Sequence, residues 1–437
     1  MLKPRVLRGA LIGTLVLLVL AGSAAWAWAS NPSIAPIAPP LPTSFPQAQV
    51  NAGAVLAAAG NCAACHTSPY GLPYGGGNGF ETGFGLVYST NISPDPETGI
   101  GRWSQAAFAR AMREGVARDG THLLPAFPYT HFTKLNAGDI QALYAFFMTR
   151  PPVVVPERRN TIHFPLNVRG LQAGWKLLFF KRGEYQPNTA KSDPWNRGAY
   201  LSEGIAHCAA CHTPRNRFGA ERTSASYAGE RFDGWLAPPL NATNPAPSPW
   251  TQRDLHDYLR TGESLLHGAA AGAMAGVVKD GLAPLSDSDV QAIALYFADI
   301  NDSADRAQGA AAALNLAMSR RLVDSGRETE PGANLYLSAC AACHYDPPQN
   351  ARAVQASLAL STSLTSEDPS NFIQTVLRGV GGAGTAGPFM PGYALALTNS
   401  DIELLASYLR RTRTGLPEWH DLPAAIAAIR PAERPSR

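Results

Sequence analysis

The sequence predicts an all-α protein in which one domain is written three times in tandem, behind an N-terminal apolar helix. Three observations lead there. The string Cys-Ala-Ala-Cys-His occurs at 62–66, 208–212 and 340–344, and these three copies use all six cysteines of the 437-residue chain. Each string ends a small helix holding a glycine (Gly53, Gly198, Gly332) and is followed, after a Gly/Pro-rich loop, by two amphipathic helices. No stretch in any copy alternates apolar and polar residues as a half-buried strand does.

The N-terminus comes first. Lys3, Arg5 and Arg8 precede a charge-free run from 9 to 29. A run of about 20 apolar residues is long enough to span a bilayer, whereas the apolar part of a signal peptide is usually about 7–15 residues. Residues 1–30 are expected to be a membrane anchor or a signal peptide; Ala27-Trp28-Ala29 would serve as a cleavage site, and the anchor is preferred. Either way the rest of the chain lies outside the cytoplasm, at the periplasmic side of the inner membrane or in the periplasm. Residues 31–46 are a Pro-rich spacer, extended and semi-rigid, which would hold the first domain off the membrane.

The domains follow at 47–150, 191–302 and 329–415. In each, a helix (103–113, 250–260, 372–378) stops near a glycine (Gly115, Gly262, Gly379). A last helix carries an apolar face: Ile140, Leu143 and Phe146; Val290, Ile293 and Tyr296; Ile402, Leu405 and Tyr408. Asn136, Ser286 and Asn399 are its candidate N-caps. Residues 151–190 and 303–328 read as linkers, the first with a basic, aromatic patch suited to docking a partner, and 416–437 as a tail. Charge is nearly balanced, 36 Lys and Arg against 33 Asp and Glu, without a basic stripe, which excludes a nucleic-acid partner.

The cysteine string carries the chemistry. Two thiols add to the two vinyl groups of a haem, and the adjacent histidine ligates its iron. One helical turn presents all three groups to one edge of the porphyrin. Cys62, Cys65 and His66, Cys208, Cys211 and His212, and Cys340, Cys343 and His344 are the three expected sites, for three covalently bound haem c groups. A zinc or thioredoxin-like site is the competing reading, and three matches consuming every cysteine disfavour it. The architecture is then three tandem class I cytochrome c domains.

A second iron ligand is expected in the loop before each last helix. Met390, between Phe389 and Pro391, and Met274, between Ala273 and Ala275, fill that place in the third and second copies. Met112 and Met148 read as core. The first copy has Phe127 at the expected methionine position, which leaves His131, the preferred ligand, or His122, or an open iron. Two histidines would give that haem the lowest potential of the three. The remaining histidines read as surface or structural. Segment 88–91, Arg102-Trp103 and 215–217 are candidates for propionate contacts or, equally, plain loop turns.

The stretches 88–101 (Tyr-Ser-Thr-Asn-Ile-Ser-Pro-Asp-Pro-Glu-Thr-Gly-Ile-Gly), Cys211-His-Thr-Pro-Arg-Asn and Trp235-Leu-Ala-Pro-Pro-Leu-Asn resemble the three-haem cytochrome c subunits of bacterial membrane-associated dehydrogenases. The likeness runs from about Gly53 to Leu409. Pro125-Ala-Phe127-Pro-Tyr-Thr-His131-Phe and Gly387-Pro-Phe-Met390-Pro-Gly are most similar to the branch accompanying molybdenum hydroxylases of the nicotinate, isoquinoline and aldehyde dehydrogenase type. Alcohol-dehydrogenase members carry Met where Phe127 stands. The resemblance implies partner subunits with molybdopterin and iron–sulfur clusters, delivery of electrons to ubiquinone or a terminal oxidase, and no catalytic residue in this chain. The competing readings are a self-contained haem enzyme using an open first iron and a subunit of an alcohol- or gluconate-type dehydrogenase.

Overall fold

The computed structural model describes residues 30–232, 234–319, 329–344, 357–381 and 389–430, with scattered positions between 13 and 29. The chain divides into two compact units, residues 1–186 and 187–437.

The first unit runs α1 (Gln47–Ala59), α2 (Cys62–His66), β1 (Gly79–Thr82), β2 (Gly85–Tyr88), α3 (Gln105–Glu114), α4 (Tyr129–Phe132), α5 (Ala137–Met148) and α6 (Leu171–Phe179). α1 crosses α5 at Gly53, where a Cβ would collide with the Ala142 carbonyl. Ser104 caps α3 by accepting from Ala107 N, and Gly115 ends it in the left-handed conformation. Asn136 caps α5 in the same way through Asp139 N. Leu143, Phe146, Phe147 and Met148 of α5 and Phe108 and Met112 of α3 are all buried. Both methionines are therefore core, as their helical positions suggested.

Segments on either side of this core are bound to it. Ile34 N donates to Arg118 O (2.8 Å) and Ile37 N to Arg102 O (3.0 Å), so the proline-rich stretch lies along the first unit and does not stand off from it. Beyond α5, Asn91 donates to Val153 O (2.6 Å), Thr161 N to Leu86 O (2.9 Å), and Tyr88 N to Asn160 Oδ1 (2.7 Å). α6 then lays Trp175 edge-on to the buried Tyr129 and sends Lys176 to the C-terminal carbonyls of α3. Much of the expected linker is thus an integral part of this unit.

The second unit runs α7 (Asp193–Glu203), α8 (Ala209–His212), β3 (Glu230–Phe232), β4 (Trp235–Ala237), α9 (Gln252–Thr261), β5 (Glu263–Ser264), β6 (Gly268–Ala269), α10 (Ala273–Gly276), α11 (Asp287–Ile300), α12 (Ser303–Ser319), α13 (Pro331–Ala339), α14 (Ala341–His344), α15 (Thr362–Thr365), α16 (Ser370–Arg378), α17 (Asn399–Leu409) and α18 (Leu422–Ile429). α7 crosses α11 at Gly198, against the Ala292 carbonyl, and α13 crosses α17 at Gly332, where a Cβ would lie 2.6 Å from Leu404 O. The same contact thus explains why a glycine precedes each cysteine string: only a bare Cα lets the two helices approach this closely. Ser286 caps α11. The cap of α17 is Thr398, one residue before the expected Asn399, and it forms a capping box with Asp401. α18 closes the third core, with Trp419, Leu422 and Ile426 among its buried residues.

Two parts of the expected fold are corrected. The chain is helix-rich but not all-α: β1–β2, β3–β4 and β5–β6 are two-stranded antiparallel sheets. Strands of two to four residues are too short to show a period, so only their glycine-containing turns could announce them. The apolar N-terminal helix is the second. Among the described residues no helix is long and apolar enough to cross a membrane. Most of residues 1–29 lie outside the described ones.

Candidate functional site

Each cysteine string forms a single helical turn, α2, α8 or α14. The turn brings both sulfurs and the imidazole to one side, half-buried to exposed. Burial pushes the Cys62 and Cys208 thiols up to about 12 and that of Cys340 to about 11, each helped by the neighbouring thiol of its pair. These groups are neutral thiols at neutral pH, unlike the lowered thiolates of a redox Cys-x-x-Cys.

The histidines are held from behind. His66 Nδ1 lies 2.7 Å from Thr90 O, and His212 Nδ1 lies 2.7 Å from Pro238 O. A carbonyl only accepts, so Nδ1 carries the proton in both rings and Nε2 keeps its lone pair for a metal. Burial lowers the pKa of both, against the opposing pull of those hydrogen bonds, which favours the neutral imidazole a metal binds. A second bond repeats as well: Gly76 N donates to His66 O and Gly229 N to His212 O, each at 2.8 Å. In both copies the acceptor carbonyl lies just past a hairpin, Thr90 beyond Tyr88 at the end of β2 and Pro238 beyond Ala237 at the end of β4. The hairpin's task is to aim that carbonyl. Reading the sequence missed Thr90 and Pro238 as orienting groups; the only available signal was the glycine turn of each hairpin.

In the third copy Tyr336 OH donates to His344 O (2.7 Å) and Tyr393 OH to Ala339 O (2.9 Å), tying α14 to the core. Residues 345–356 and 382–388, which include the expected Gly387 and Pro388 flank of Met390, lie outside the described residues. Two thiols and a ligand imidazole on one turn fit haem c, and the pre-set tautomer of His66 and His212 adds to that fit.

The expected second ligands fall in three settings. Met390 is half-buried, and its backbone exchanges both hydrogen bonds with Val380 (2.9 Å each), just beyond the end of α16. Gly379 makes this possible, since a Cβ there would run into Met390 O. Met274 sits half-buried on α10, two residues after Gly272, which packs against the Trp235 ring. His131 is buried on α4, and Phe127 stacks edge-on to Phe132 beside it (5.4 Å between ring centroids). His122, the alternative, is engaged at both nitrogens: Nε2 meets Ala29 O (2.8 Å) and Asn31 Nδ2 (3.2 Å), and Nδ1 meets Lys176 Nζ (3.0 Å). It faces the N-terminal segment and α6, and has no nitrogen left for iron.

The loop residues set aside for propionates have other partners. Asn91 clips Val153, Arg102 lies 3.7 Å from Glu97, and Arg215 donates to Gly219 O and Ala210 O (2.8 Å each), bracing α8. His256 meets Asp287 (2.9 Å) and His267 stacks on Trp250, both structural arrangements.

Comparison with known proteins agrees with this geometry. Residues 50–151 match the cytochrome c family model, and residues 327–409 match that of cytochrome c oxidase, cbb3-type, subunit III. A nicotinate dehydrogenase subunit of Pseudomonas putida is 45% identical over 401 residues, 91% of this chain but 33% of that protein, so the chain spans a third of this relative. The fructose dehydrogenase cytochrome subunit of Gluconobacter japonicus is 35% identical, covering 78% of this chain and 73% of the relative. The gluconate 2-dehydrogenase cytochrome c subunit of Pantoea cypripedii is 35% identical, covering 83% and 85%. Joined to the haem-attachment turns, these matches show that the chain belongs to the cytochrome c subunits of dehydrogenases, proteins that carry covalently bound haem c.

Proposed function

We propose that this chain is a non-catalytic relay carrying three haem c groups, in domains 47–150, 191–302 and 329–415, from a partner dehydrogenase to the respiratory chain. The carrying observation is that all six cysteines fall into three attachment turns, two of which have the same two bonds to their histidine at matching distances. Cys62, Cys65 and His66, Cys208, Cys211 and His212, and Cys340, Cys343 and His344 would hold the groups, with His131, Met274 and Met390 as second ligands. When bound, each iron takes up and releases one electron. The chain's own contribution would be to hold the His66 and His212 imidazoles in the ligand tautomer and to supply a second ligand, whose identity sets the potential.

The partner proposed is a molybdenum-hydroxylase-type dehydrogenase with molybdopterin and iron–sulfur subunits, supported by the likeness to the nicotinate dehydrogenase subunit and by Phe127 in place of methionine. Ubiquinone or a terminal oxidase is the proposed acceptor, at the periplasmic side, the compartment that covalent haem attachment to cysteine fits. The fructose and gluconate dehydrogenase relatives favour a second reading, a partner of that class. Intact mass of the matured protein tests the core of the proposal: polypeptide plus three haems is expected, and two or none refutes it. Affinity purification from the native host then separates the partner classes by the cofactors that co-elute.

A further inference from the structure

A hydrogen-bonded joint ties the second attachment site to the third. The β3–β4 sheet has only two strands, so the outer edge of β4 offers an unpaired peptide. Asn371, in the first turn of α16, fills that edge. Its Oδ1 accepts from Leu236 N and its Nδ2 donates to Leu236 O, both at 2.8 Å, so the side-chain amide takes the place of a neighbouring strand. One turn along, Gln374 Nε2 donates to Gly234 O at the hairpin turn (3.1 Å). From β3, Arg231 pairs with Asp368 and donates to Ser370 Oγ (2.8 Å). Asp368 also accepts from Ser370 N (2.8 Å), so the ion pair rests on a carboxylate already bound to the start of α16.

Both sides of this joint lead straight to iron ligands. Two residues after Leu236, the Pro238 carbonyl takes His212 Nδ1. Trp235 beside it packs on Gly272, two residues before Met274. On the other side α16 ends at Gly379, and Val380 pairs with Met390. Movement of α16 against the hairpin would displace the ligands of both sites at once.

We propose that Asn371 and Arg231 are positioning residues, and that their clasp fixes the second and third haem sites at one separation, making them a single electron-exchange pair. This rests on the three-haem reading. Electron tunnelling falls steeply with distance, so a wandering separation between the two sites would make transfer intermittent. The clasp is polar and built from few side chains, which makes it separable by mutation from the two cores.

The test uses the full-length, haem-loaded chain with Asn371→Ala, Arg231→Ala and the double variant, and Asn371→Asp as the conservative change that keeps the acceptor for Leu236 N. Amide exchange at Leu236 is expected to quicken about tenfold in Asn371→Ala, as for one lost hydrogen bond, with partial recovery in Asn371→Asp. Pulsed electron paramagnetic resonance between ferric irons should show the narrow distance distribution of the second and third sites broaden in the double variant. Unchanged exchange and an unchanged distribution in the double variant would overturn the clasp. Fewer than three haems in the unmodified protein would overturn the functional reading alone, because amide exchange reports on the joint without them.

Discussion

Replacing Gly198 with alanine tests the helix crossing on which each attachment turn rests. The new Cβ would sit 2.5 Å from Ala292 C and 3.0 Å from Ile293 N. Ordinary carbon contacts lie at about 3.5–4.0 Å, so α7 and α11 must part by about 1 Å. The obstacle is helical backbone and has no rotamer by which to yield. Overpacking costs about 1–3 kcal/mol, and against helical backbone that cannot yield the upper part of that range applies, about 2–3 kcal/mol. Opening the seam also loosens Leu201, Val290 and Ala294, all fully buried there. Against this, alanine favours a helix interior by about 1 kcal/mol over glycine. The expected net is a loss of about 1–2 kcal/mol, read as a lower urea midpoint for the second unit, by far-ultraviolet circular dichroism and haem absorbance together. Gly174→Ala in α6 is the control. Nothing lies within 4 Å of a Cβ there, so propensity acts alone and stability should rise by up to about 1 kcal/mol. If Gly198→Ala were as stable as its parent, or gained like Gly174→Ala, the close crossing and the reason given for the repeated glycine would both be wrong.

Three further outcomes follow from the ligand geometry and burial. Met390→Ala and Met274→Ala should each move one wave of a redox titration to lower potential while all haems stay attached, and an undisplaced wave would remove that methionine as a ligand. His131→Ala should turn one haem from low-spin to high-spin in its visible and paramagnetic resonance spectra, whereas His122→Ala, whose two nitrogens already have partners, should leave every spin state unchanged. Burial pushes Lys176 down to about 8, partly opposed by Glu114. Its folded pKa is then below that of the unfolded chain, which holds the extra proton between about pH 8 and the ordinary lysine value, so the Lys176 contribution to stability grows as pH rises through that window. Lys176→Met should flatten this part of the pH dependence of unfolding, and an identical slope in both proteins would refute the burial argument.

The parts of the molecule legible in sequence share one property: they are local. Cys62, Cys65 and His66 lie within a single turn, and the apolar positions of α5, α11 and α17 repeat within a single helix. The glycines before each string were visible as a pattern, though their partners, the carbonyls of Ala142, Ala292 and Leu404, were not. The hairpins escaped because strands of two to four residues carry no usable period; Thr82-Gly-Phe-Gly85 and the Asp233-Gly234 pair were the signals available. His122 remained a ligand candidate for the same reason: its partners Ala29 and Lys176 are 93 and 54 residues away, so nothing nearby in the chain showed that its nitrogens were taken.

By itself, then, the sequence determined which thiols and imidazoles could attach haem and which side chains could supply a second ligand, since thiols, imidazoles and thioethers are chemically distinct and their spacing can be counted. Tertiary structure alone decided which carbonyl orients each imidazole, 24 residues away for His66 and 26 for His212, and which amide closes the edge of β4, 135 residues from it. The physical reason is that every residue carries the same backbone carbonyl and amide. No residue type marks the one that will be used, and only the packing of the folded chain selects it.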